Sequence, residues 1–190
     1  MIFKDKFSPR DWDLLTHLPY RMGIWMSDRD EGGGEYAYTL EMEALEREVK
    51  ICQAKYANIE LITDLMHDLT RSLPASGEWD TTLEDAKHAV ELLKPHTDAQ
   101  SLNCFKLMLV DIAEAVAKAA ANGTYQARNL YNGPQSGLFG LLAKFVRYGR
   151  GPKVTKAEKM AINQLITALD ADGLVQRWDM DPYPPRSSQA

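Results

Sequence analysis

Apolar positions along this chain recur every three or four residues, and no segment sustains the strict alternation or the β-branched runs of a strand. The punctuation between apolar runs is that of helices. Ser8-Pro9 with Asp11 reads as an N-cap, a first-turn proline and an acidic first turn. Pro19 reads as the start of a second helix, through Met22-Gly23-Ile24-Trp25-Met26 to about Asp30, before a turn at Gly32, Gly33 and Gly34. A long helix is expected from Glu35 to Tyr56, and Asn58 is placed to cap the next, to about Ser72. After a loop from Pro74 to Asp80, Thr81 or Thr82 with Glu84 and Asp85 opens a helix that must end before Pro95.

Thr97-Asp98 opens the most hydrophobic helix, expected to reach about Asn122. Its apolar side chains from Ala99 to Ala121 sweep most of a full turn at about 100° per residue, leaving Asp111, Glu114 and Lys118 as a narrow polar stripe. A helix apolar on nearly every side needs neighbours on nearly every side, so it belongs at the centre of a bundle. Asn122 to Gln135 reads as a polar connection, Ser136 to Tyr148 as a short amphipathic helix, and Gly149 to Lys153 as a turn. Thr155 with Glu158 forms a capping box for a last helix ending near Asp172-Gly173. The expected fold is all-α: about six or seven helices in one domain, 1–175. A Pro-containing tail, 176–190, with Pro182, Pro184 and Pro185, cannot be helical and is expected to be flexible.

A weak internal repeat suggests two related helical halves, 8–95 and 96–175. Glu41, Ala44, Leu45 and Val49 recur as Glu158, Ala161, Ile162 and Ile166. A hydrophobic helix, an Asp/Gly turn, then Glu-x-x-Ala-aliphatic-x-x-x-aliphatic resembles the helical repeats of tellurite-resistance B-like (TerB-like) proteins. The likeness covers Leu18 to Val49 and, less closely, Phe105 to Leu169, where a clear Asp/Gly turn is missing. It implies an α-helical domain with a stress-associated role and cation or partner binding, and no catalytic mechanism.

Composition narrows the function. A 45% apolar and 26% charged make-up is that of an ordinary globular chain. The formal charge of −5 argues against a general nucleic-acid binder, which needs a basic face. The stretch Leu107 to Ala121 is interrupted by three charges, which is too short and too polar to cross a membrane. Met1 to Phe7 lacks the hydrophobic core of a signal peptide, so the cytoplasm is the expected compartment, with Cys52 and Cys104 as reduced thiols.

Candidate chemistry is sparse. Asp64-x-x-His67 and Asp85-x-x-His88 have the spacing of metal ligands on one helix side, but both pairs point away from their helices' apolar faces and read as solvated. Glu41 and Glu48 instead project near the middle of the apolar face formed by Ala37, Leu40, Ala44, Leu45, Val49, Ile51 and Cys52. A buried carboxylate must be paired, protonated or metal-bound. The simple expectation is neutralisation by Arg21, Arg47 or Lys50. The alternative is a site for a hard divalent cation built from Asp28, Glu41 and Glu48, with Asp30 or Glu35 nearby. Asp28 to Gly34 echoes an acidic calcium loop without its later bidentate glutamate. Lys144, Arg147, Arg150 and Lys153 make a modest basic patch, and aromatics crowd the first helices, suiting a core or a homo-oligomer or protein-partner interface. No nucleophile elbow or phosphate-binding glycine loop is present. The expected function is therefore a cytoplasmic helical binding or interaction module with no cofactor; the alternative is a divalent-cation sensor or metal-dependent hydrolase.

Overall fold

A computed structural model describes residues 3–29, 34–69, 81–130 and 154–178. Among these residues every regular element is a helix: a 3-10 turn at Phe3–Lys6, then α1 (Pro9–Ser27), α2 (Gly34–Lys55), α3 (Glu60–Asp68), α4 (Thr82–Leu93), α5 (Ala99–Leu130) and α6 (Lys156–Ala168). None of the described helices is long and apolar enough to cross a membrane.

The amphipathic pattern and the local caps explain most of these elements. Ser8 caps α1, its hydroxyl accepting from the Asp11 N–H at 3.2 Å with Pro9 in the first turn. Pro19, expected to begin a helix, lies inside α1 instead. Its fixed φ is compatible with helix, and its ring removes one backbone donor. Leu15, Leu18, Met22 and Trp25 keep one helical register across it, and all four are fully or almost fully buried. Burying that continuous face outweighs one lost hydrogen bond. Gly23 serves the same packing: a Cβ there would sit 2.4 Å from Leu45 Cδ1, so the glycine lets the Leu45 side chain of α2 lie close against α1.

The start of α3 differs from the Asn58 cap expected. Its N-cap is Ile59, extended and 7% exposed, with no side-chain cap bond. Anchoring an apolar side chain decides this boundary, not the polar cap. At α4, Thr81 is the N-cap as expected, but its hydroxyl serves Arg21 and Asp85 instead of a backbone N–H. Asp98 caps α5 by accepting from the Ser101 N–H at 2.8 Å. That helix continues past Asn122 to Leu130. Asn122 and Gly123 lower helix propensity, by about 1 kcal/mol for the glycine, but neither removes a backbone donor as proline would.

The Thr155–Glu158 capping box is present in full. The end of α6 comes earlier than Asp172-Gly173, because Asp170 takes the left-handed position at φ 52°. Asp170 and Ala171 then donate to the carbonyls of Thr167 and Ile166, a Schellman closure built on an aspartate. The segments 70–80 and 131–153, with the expected helix Ser136 to Tyr148 and the basic patch, lie outside the described residues. So does most of the tail. Its first residues, however, are held against the bundle: Arg177 and Trp178 both make side-chain bonds to α6 or α5.

The bundle is organised around α5, which packs against each of the other five described α-helices. Phe105, Met108, Leu109, Val110, Ile112, Ala113, Val116 and Ala117 are all buried. Its most extensive neighbour is α2. Lys55 at the end of α2 reaches Asp111, while Glu48, two turns earlier, lies in the field of Lys118, two turns later, so α2 and α5 run antiparallel. The repeated positions also share their burial. Glu41, Ala44, Leu45 and Val49 on α2 are buried, as are Glu158, Ala161, Ile162 and Ile166 on α6.

Candidate functional site

Polar side chains enter the bundle at its helix-to-helix seams. Between α1 and α4, Arg21 donates to Asp85 Oδ2 at 2.5 Å and to Thr81 Oγ1 at 3.1 Å. The arginine side chain is 9% exposed and the aspartate 22%, so this ion pair is largely shielded from water. Asp85 was placed on a solvated face by its helical phase. It is half-buried because α1 brings Arg21 against that flank of α4. His67 and His88 are exposed, and Asp64 accepts from the backbone N–H of Phe3 at 2.8 Å, so the two Asp-x-x-His pairs form no common site.

Between α1 and α2, Glu41 is 2% exposed and accepts a short hydrogen bond from the Ser27 hydroxyl. The inward projection of Glu41 is thus correct, and Arg21, one of its expected neutralisers, bonds to Asp85. Asp28 is exposed at the C-cap of α1, its backbone N–H bonded to the Ile24 carbonyl. Glu35 is also exposed, and Asp30 lies outside the described residues. Asp28, Glu41 and Glu48 are not brought together, and among the described residues no group of three or more His, Cys, Asp or Glu side chains is arranged to hold a metal ion.

Glu48 belongs to a different cluster, on the α2–α5 seam. Asp111 accepts from Lys55 Nζ at 2.6 Å and from the Tyr56 hydroxyl at 3.0 Å. Half-buried Glu48 accepts from the Cys52 thiol at 3.9 Å. Burial, then the negative Asp111, raises the Glu48 carboxyl above its ordinary range, with Lys55, Arg47 and Lys118 opposing. Burial likewise pushes the Cys52 thiol up to about 12, helped by Asp111 and Glu48, and the Tyr56 hydroxyl up to about 12. A thiol so held stays protonated and is a poor nucleophile. The hydrogen bond that Lys55 makes to Asp111 holds the Lys55 ammonium above its ordinary range.

The Glu48 shift predicts a pH dependence with a definite sign. The folded chain holds the Glu48 proton more tightly than the unfolded chain, so this residue's contribution to stability falls as pH rises through its carboxyl range. Glu48→Gln should therefore melt above wild type at about pH 7, with the difference closing toward about pH 4. Thermal melts across that range check it, and a gap that widens on acidification would contradict the placement of Glu48 beside Asp111.

Two further groups had no signal in the local sequence. Lys106, on the apolar helix α5, is 5% exposed and donates to the Asp170 carbonyl at 2.8 Å, capping the C-terminal end of α6 with a cation. Trp178 lies across α5 and α6. Its indole Nε1–H donates to Glu114 Oε1 at 2.9 Å, and Glu114 also accepts from Lys118 at 2.5 Å. The polar stripe Asp111, Glu114 and Lys118 is accordingly engaged, at one end by α2 and at the other by the C-terminal segment.

Fold and site together define a class: an all-α bundle around one central helix, with ionisable groups joining helices in pairs. No family model, no curated protein and no solved structure matches the chain.

Proposed function

We propose that the chain is a helical binding module, a rigid bundle that presents its outer faces to a protein partner. The observation that carries this reading is the use made of the polar groups inside. Arg21 with Asp85, Ser27 with Glu41, Lys55 and Tyr56 with Asp111, and Lys106 with the Asp170 carbonyl each tie one element to another. A catalytic centre asks for the opposite arrangement, with perturbed groups converging on an enclosed cleft. The TerB-like resemblance of Leu18 to Val49 would add a stress-associated setting to the same reading.

The cation alternative has less support. Of its three ligands, Asp28 faces solvent, Glu41 is bonded to Ser27, and Glu48 sits in the Asp111 cluster.

Crosslinking in the native host through exposed lysines tests the binding reading, with Lys50 on α2, Lys87 on α4 and Lys156 on α6. A binding module gives reproducible crosslinks from one face to a defined partner, lost on charge reversal of that face with no change in melting temperature. Crosslinks confined to the chain itself would contradict it.

A further inference from the structure

The contact between the C-terminal segment and the α5–α6 seam has the form of peptide recognition. Asn163 on α6 uses both halves of its carboxamide on the main chain of one residue. Its Nδ2 donates to the Trp178 carbonyl at 3.0 Å, and its Oδ1 accepts from the Trp178 N–H at 2.9 Å. A carboxamide so placed reads a backbone whatever its side chain. The side chain is read separately. The indole N–H is bonded to Glu114, and Lys118 Nζ lies 5.5 Å from the ring centroid, so the site selects a ring that is both a cation–π acceptor and an N–H donor. Phenylalanine would meet the first requirement but not the second, since it carries no donor for Glu114.

Two observations indicate that the occupant can leave. Trp178 is only half-buried, and it belongs to no helix, so detaching it breaks no helical ladder. Beside it lies a shallow, open depression lined by Asn163, Gln164, Thr167, Ala168 and Arg177 itself.

We propose that this seam is a recognition site for an extended peptide segment bearing a tryptophan, filled in cis by Arg177–Trp178 and opened when a partner segment of the same chemistry displaces it. The inference rests on the binding-module reading and names one site within it.

The probe is the hexapeptide LVQRWD with blocked ends, the chain's own sequence around the occupant. Titrated calorimetrically into the full-length Trp178→Ala protein, it binds saturably. Replacing its tryptophan by phenylalanine weakens binding by about tenfold or more, the loss expected for a charge-assisted hydrogen bond. Asn163→Ala in the same protein does likewise. Wild type binds the peptide at least about tenfold more weakly, because its own segment competes. A well-folded Trp178→Ala protein that binds no better than wild type, or binds the phenylalanine peptide equally, overturns the proposal. Should that variant not fold, the wild-type chain supplies the test: excess peptide moves the Trp178 indole N–H resonance to its free position, and an unmoved resonance overturns it. Concentration-dependent dimers of wild type that exchange this segment would make a second copy the occupant and overturn the partner assignment. Failure of any arm with partner crosslinks intact on another face leaves the binding-module reading standing.

Discussion

Phe105→Ala should lower the stability of the chain by about 3–5 kcal/mol, a large part of the roughly 5–15 kcal/mol that holds a domain folded. Phe105 is fully buried on the helix that touches every other α-helix described, so no surface element can relax into the cavity without moving a packed neighbour. On the same helix, Lys118 is 46% exposed and pairs with Glu114 one turn away. Lys118→Ala should cost less than about 1 kcal/mol, as exposed pairs do. Urea unfolding of both variants reads the contrast. A Phe105→Ala loss no larger than that of Lys118→Ala would mean that α5 is not the centre of the bundle.

Arg21→Leu should cost about 3 kcal/mol by leaving Asp85 with its strongest partner removed in a largely shielded seam. Much of that loss is the penalty on the stranded carboxylate, so Asp85→Asn added to Arg21→Leu should restore part of it. The double-mutant cycle should give a coupling of about 1–3 kcal/mol. Additive losses would show that the two side chains do not meet. The cycle also separates this clamp from simple packing by the arginine stem, which the second substitution cannot restore.

What was legible in the sequence follows from what each signal physically encodes. The centrality of α5 could be read from its nearly complete apolar circumference, because a helix apolar on nearly every side needs neighbours on nearly every side. The caps at Ser8, Asp98 and Thr155 are equally legible, since a capping side chain and its backbone partner lie within three residues. Pro19 was misleading because two rules conflict there: the local cost of proline and the continuous face from Leu15 to Trp25, whose worth depends on what packs against it. Asp170 in the left-handed position instead of Gly173 is a similar case, decided by the burial of Ala171 and by Lys106 bonding the Asp170 carbonyl.

The polar seams were legible only by halves. Helical phase places Glu41 on the inward face of α2 correctly, but it carries no information about partners such as Ser27 on another helix. Arg21 and Asp85 are 64 residues apart, as are Lys106 and Asp170 and Glu114 and Trp178. No periodicity within one helix encodes such a pairing. Sequence alone can therefore say that a carboxylate must be satisfied, and only the packing of helices decides by which group.

These inward polar groups act as structural ties between helices. The most direct measurement is the melting temperature of EDTA-stripped protein with and without Mg²⁺, Ca²⁺, Mn²⁺ and Zn²⁺. An ion bound at about 100 times its dissociation constant would add roughly 2.7 kcal/mol and move the transition by several degrees. Structural ties need no ion, so no such shift is expected with any of the four. A shift that Glu41→Gln or Glu48→Gln abolishes would contradict this and place a cation among the carboxylates of α2.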